Sequence, residues 1–199
     1  MSTKAEKTTA FIIETIAPIF NSQGYVGTSM SDLTKATKLT KGALYGNFEN
    51  KESLALASFD YNSVILITAL DEEIALSNNC LEKLYLITGF YKKYHLFTRN
   101  MGGCPILNTG VDAQNINRKL AGVCKQLVKD IELKIAAILE QGSKEGVLML
   151  PVSSLQFAKQ FFTMIQGAVA MASITQDYKY LVNTMTYLDI LIKNELVRK

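Results

Sequence analysis

TSMSDLTKATKLTKGALYGNFENK, running from Thr28 to Lys51, decides the fold. Ser29 stands before Met30, Leu33 and Ala36, apolar side chains at helical spacing, so the pattern predicts a short helix from Met30 to Thr37 with Ser29 as its cap. A turn follows at Lys38 and Leu39. Thr40 then caps a second short helix, Lys41 to Asn47, and Asn50 caps another that opens at Lys51 and Glu52. Leu39, Leu44 and Phe48 supply an apolar seam beneath, which leaves Lys41, Gly42, Ala43, Tyr45, Gly46 and Asn47 facing outward. Two short capped helices with a tight polar turn between them form a helix-turn-helix reader of DNA.

The outward face has the chemistry for that task. The major groove admits an α-helix only if the helix can come close to the base edges, and Gly42, Ala43 and Gly46 remove the bulk that would hold it off. Around them, hydroxyls, ammonium groups, a phenol and an amide can reach phosphates and fix the register. The expected DNA-contacting set is Thr28, Ser29, Lys35, Thr40, Lys41, Gly42, Ala43, Tyr45, Gly46, Asn47 and Lys51. A plain capped helix in an all-α core is the alternative. It leaves both glycines unexplained, since each costs a helix about 1 kcal/mol relative to alanine.

From Ile12 to Leu54 the chain resembles the N-terminal domain of the tetracycline-repressor (TetR) family: an apolar first helix ending in Phe20, then Gly24-Tyr25, Thr28-Ser29, a Lys-Gly-x-Leu-Tyr-x-x-Phe core from Lys41 to Phe48, and Lys51-Glu52. The resemblance implies a repressor that binds a palindromic double-stranded operator as a homodimer in the bacterial cytosol and answers to a small-molecule effector of unknown identity. Two departures stand out. Pro18 lies inside the first helix, where it removes a backbone hydrogen bond and should bend the last turn. The turn reads Thr37-Lys38-Leu39 where the family carries Ala-Gly-Val, so Lys38 must accept a geometry that glycine normally takes.

Composition is less specific. A chain of 199 residues with 48% hydrophobic content can hold one large or two small domains, and a net charge of +3 is weak support for a polyanion partner. Up to residue 60, Lys4, Lys7, Lys35, Lys38, Lys41 and Lys51 are matched by Glu6, Glu14, Asp32, Glu49, Glu52 and Asp60, so DNA affinity has to come from geometry and from two copies of the reader. The polar start and the interrupted uncharged stretch from Gln160 to Gln176 point to a cytoplasmic chain with no membrane partner. Cys80, Cys104 and Cys124 are an odd set with no disulfide framework, and with His95 as the single histidine no metal site and no cofactor are expected.

The remainder reads as helices throughout, giving an all-α chain of about nine helices. A three-helix DNA-binding domain at 5–65 joins a larger effector-binding and dimerisation domain at 66–199 through a long helix with no Gly or Pro between Lys51 and Ser77. Further helices are expected at Leu81–Thr98, Ile106–Ala113, Asn117–Gly142, Ser153–Thr175 and Asp177–Val197. The last two carry Phe157, Phe161, Met164, Ala168 and Met171, and Leu181, Met185, Leu188 and Ile192, read as a two-helix dimer interface. Phe90, Tyr91, Tyr94, His95, Cys104, Asn108, Phe161, Phe162 and Gln166 mix aromatic bodies with polar tips and are the expected effector pocket. Cys104, between Gly102-Gly103 and Pro105, is similar to the cysteine of a Gly-Cys subgroup of the family. An electrophile- or redox-responsive protein, or a cysteine enzyme centred on Cys104, is the alternative to a non-enzymatic regulator.

Overall fold

A computed structural model describes residues 3–197 and is all-helical, with ten α-helices among the described residues and one isolated antiparallel bridge, Leu148 to Val197. The first helix, α1 (Lys4–Gly27), opens on a capping box: the Glu6 N–H donates to the Thr3 hydroxyl, and the Thr3 N–H donates to the Glu6 carboxylate. Ile12, Ile16 and Phe20 recur every fourth residue and are buried. Helical geometry breaks at Gly24, with φ of 75°, and not at Pro18. Proline's φ is helical, whereas glycine readily turns left-handed.

Helices α2 (Met30–Thr37) and α3 (Lys41–Asn47) have the expected bounds, and α4 (Lys51–Ile74) starts where expected. Local hydrogen bonds explain why. The Asp32 N–H donates to Ser29 Oγ and the Ser29 N–H to the Asp32 carboxylate. The Ala43 N–H donates to the Thr40 hydroxyl, and the Ser53 N–H to Asn50 Oδ1. Lys38 is left-handed, at φ 57° and ψ 24°, and carries the turn as expected. Leu33, Leu44 and Leu54 are completely buried beneath the reader, with Leu39 and Phe48 half-buried beside them.

Six more helices follow: α5 (Cys80–Lys92), α6 (Tyr94–Phe97), α7 (Pro105–Ala113), α8 (Arg118–Lys144), α9 (Ser154–Thr175) and α10 (Lys179–Leu191). A 3₁₀ turn covers Thr98–Met101 and a π turn Ile192–Leu196. The single helix expected over Leu81–Thr98 is thus divided at Lys93, whose ψ of 10° is not helical. The chain forms two compact units: residues up to Ile65 with Thr98–Gln126, and Leu66–Phe97 with the residues from Leu127 onward. Thr98–Gln126 packs with the residues up to Ile65 and not with the rest of the C-terminal part of the chain.

In the first unit α7 and the loop before it lie against α1. Asn21, 3% exposed, donates to the carbonyls of Met101 (2.7 Å) and Gly103 (2.8 Å), while the Asn108 amide donates to the carbonyls of Asn21 (2.9 Å) and Gly102 (3.1 Å). Asp112 accepts the Tyr25 N–H at 2.7 Å, just past the Gly24 break where no helical partner remains for it. In the second unit Leu84, Ile87 and Tyr91 of α5, Ile131 and Ile135 of α8, Phe162 and Ile165 of α9 and Leu181, Met185 and Leu188 of α10 are buried. Asp189 of α10 accepts from Thr88 and from the Lys92 ammonium of α5. Among the described residues α4 alone is long and apolar enough to cross a bilayer. Its Leu54, Ser58, Asn62, Leu66 and Leu70 are buried within the chain's own packing, as in a core helix.

Candidate nucleic-acid interface

Helix α3 is seven residues long, and Leu44 is its buried anchor. Lys41, Gly42, Tyr45 and Gly46, at offsets of one, four and five, share the face that stays exposed. The Lys41 ammonium lies 5.8 Å from the centre of the Tyr45 ring, and Tyr45 is 39% exposed. A Cβ on Gly46 would meet nothing within 4 Å, and one on Gly42 would meet only Thr40 Oγ1 at 3.9 Å. Neither has the positive φ that favours glycine, so nothing in the chain itself calls for either of them.

Around this helix Ser29, Lys35 and Thr40 are exposed, and Ala43 is half-buried. The Lys51 ammonium stacks 4.7 Å over the Tyr25 ring, a cation–π contact that holds it beside the start of α4. The Ser29 hydroxyl and N–H, with the Lys35 charge adding a little, hold the Asp32 carboxyl below the usual carboxylate range.

Two members of the expected DNA-contacting set are spent elsewhere. Thr28 is completely buried and its hydroxyl donates to the Gly24 carbonyl at 2.7 Å, which ties the broken end of α1 and leaves nothing for a phosphate. The Asn47 amide donates to the Ala43 carbonyl and accepts from Thr9, both at 2.9 Å, so it faces the chain and not outward. Sequence spacing missed Thr9, whose only signal was a hydroxyl on the first helix.

The expected effector residues fall in both units. Phe90, Tyr91, Tyr94 and Phe162 form an aromatic cluster in the second, with Phe90 and Tyr91 edge to face at 5.2 Å and Tyr91 and Tyr94 at 4.9 Å. His95 stacks on Tyr178 at 3.9 Å, and the buried Phe161 stacks with Phe157 at 6.4 Å, in the same unit as Gln166. Cys104 and Asn108 belong to the first. Cys104 is 5% exposed and heads α7 with Pro105 in the first helical position. Cys124 accompanies it in that unit, its thiol pushed up to about 11 by burial. No group of three or more metal-ligating side chains occurs among the described residues.

Most of the expected dimer-interface residues face inward. Phe157, Phe161, Ala168, Leu181, Met185, Leu188 and Ile192 are all at most 5% exposed within the single chain. Met171 (40%) is exposed and Met164 half-buried. The strongest apolar stripe of each helix covers its own core. The large apolar residues left outside are Leu155, Met171 and Ile174 on α9 and Tyr180, Val182, Tyr187 and Ile190 on α10. A groove of about 530 Å³ between these helices is lined by Gln160, Thr163, Met164, Leu188 and Leu191, with Phe157 and Phe161 among its walls.

Two family models match the chain: bacterial regulatory proteins of the tetR family over residues 12–58, and the tetracyclin repressor-like C-terminal domain over 80–188. The crystal structure of a TetR-family transcriptional regulator from Cytophaga hutchinsonii is 31% identical, with a TM-score of 0.91 over 100% of both chains. A TetR regulator from Chloroflexus aurantiacus is 28% identical with a TM-score of 0.93, covering 98% of this chain and 99% of that one. An HTH-type transcriptional regulator of Bacillus subtilis is 23% identical over 186 residues, 92% of this chain and 94% of its own.

Proposed function

Because the chain belongs to the tetR family of bacterial regulatory proteins, and so is a helix-turn-helix transcriptional regulator and not an enzyme, we propose that it is a cytosolic, ligand-responsive repressor that reads a palindromic operator as a homodimer. The carrying observation is the bare outer face of α3. Two glycines that neither packing nor backbone geometry requires are flanked by Lys41 and Tyr45, the shape of a helix adapted to approach a surface outside the chain. Gly42, Ala43 and Gly46 then let the helix approach base edges, while Ser29, Lys35, Thr40, Lys41, Tyr45 and Lys51 hold phosphates. The second copy docks through the exposed sides of α9 and α10 and the groove between them. The effector acts on the second unit, where aromatic bodies and polar tips gather around Tyr91 and Tyr94.

Selection of duplexes from a random pool by the full chain tests this reading. The expected product is an inverted repeat whose half-sites lie about 34 Å apart, or a multiple of that spacing, along the duplex. Enrichment of a single unrepeated site would sink the homodimeric reading, and no enrichment at all would sink operator recognition.

A further inference from the structure

A seven-residue helix with one buried apolar anchor is fixed in depth but not in rotation about that anchor. Leu44 is the anchor of α3, and the helix has a second tie at its C-terminal end. There the Thr9 hydroxyl of α1 donates to Asn47 Oδ1 at 2.9 Å, and Asn47 Nδ2 donates to the Ala43 carbonyl at 2.9 Å. The amide orientation is determined by these neighbours: turned over, Asn47 would set its own oxygen against the Ala43 carbonyl oxygen. Thr9 Oγ1 also lies 3.1 Å from the Ala5 carbonyl, within α1, a longer approach than the 2.9 Å to Asn47 Oδ1. A rotation of α3 that tilted Gly42 and Gly46 away from the groove would break the link to α1.

We propose that Thr9 and Asn47 form a positioning pair that sets the angle at which α3 meets DNA, with Asn47 itself making no DNA contact. This rests on the DNA-reading function above. The probes are a duplex enriched from a random pool by the native chain and a scrambled duplex of the same length. Thr9→Val keeps the shape and removes the donor, while Asn47→Ala removes the acceptor. Each is expected to lower affinity for the enriched duplex about tenfold, the scale of a lost base contact, and to leave affinity for the scrambled duplex unchanged. Thr9→Ser keeps the hydroxyl and retains native affinity. The double variant Thr9→Val, Asn47→Ala binds no more weakly than either single one, because both remove the same tie.

Losses that multiply in the double variant would mean that Asn47 touches DNA directly, and would overturn the proposal. So would equal losses on both duplexes, the mark of a pair that only holds the fold, or native affinity in both single variants. If the native chain enriches no duplex, DNA reading itself fails; enrichment by the native chain with unaltered variants sinks the positioning pair alone.

Discussion

Gly46 costs α3 about 1 kcal/mol relative to alanine, and a Cβ there would touch nothing in the chain. Gly46→Ala should therefore raise stability by roughly 0.5–1 kcal/mol, seen as a higher denaturant midpoint, while weakening binding to the selected duplex. A variant that gains stability and keeps full affinity would remove the groove reading of α3. Single residues were legible from sequence where their partners are three or four positions away. Ser29, Thr40 and Asn50 cap as expected because each bonds to an N–H three residues on. Lys38 is left-handed, as the missing turn glycine required. Thr28 is the exception among short-range partners: Gly24 is only four positions back, but it is the backbone break at Gly24 that turns the Thr28 hydroxyl inward. Asn47 differs again, because the threonine it accepts from lies 38 residues away.

The element that the sequence described least well is the loop before α7. Gly-Gly-Cys-Pro drew attention for its cysteine, yet its glycines are explained by close packing: a Cβ on Gly102, at φ 78°, would stand 2.4 Å from the Pro18 carbonyl oxygen of α1, and one on Gly103, at φ 107°, would stand 2.7 Å from Asn108 Nδ2 of α7. Gly102→Ala has to push that loop off α1 and stretch the bonds from Asn21 to Met101 and Gly103. The loss of stability should be at least about 2 kcal/mol, combining backbone strain with a buried amide left short of partners. An unfolding midpoint unchanged by the substitution would show that the loop does not rest on α1. For α9 and α10 the expected helices are present, and most of the side chains expected at an interface are buried within the single chain, with Phe157, Phe161, Leu188 and the half-buried Met164 among the walls of the groove. Apolar periodicity finds a helix's dominant stripe, and in a chain that must fold before it can associate, that stripe turns to its own core. The exposed Tyr187 and Ile190 therefore left little trace beside the buried Met185 and Leu188.

At the scale of the whole molecule, weak charge is the argument for the proposed second reader. Six lysines against six acids up to residue 60 give one reader little phosphate attraction beyond its own geometry, so tight binding needs a second reader held at a fixed separation. Gly167 is where the second copy is best tested. It lies in the interior of α9 on a side where Thr163 and Met171 are also exposed, and a Cβ there would meet nothing within 4 Å. An open glycine alone decides little, since Gly122 on α8 is just as open. Gly167 differs in its setting, between the groove that Thr163 lines and the exposed Met171 and Ile174. Gly167→Arg should leave the single chain folded, since arginine is the better helix former and has room, while its bulk and charge block the approach of a partner helix. Sedimentation is then expected to give a monomer. With the second reader no longer tethered, affinity for the inverted repeat should fall by 10²-fold or more, a loss on the scale of effective concentration, while affinity for a single half-site stays as it was. A variant that still sediments as a dimer would move the interface off this side of α9, and one that is monomeric yet binds the full repeat undiminished would show that a single reader suffices.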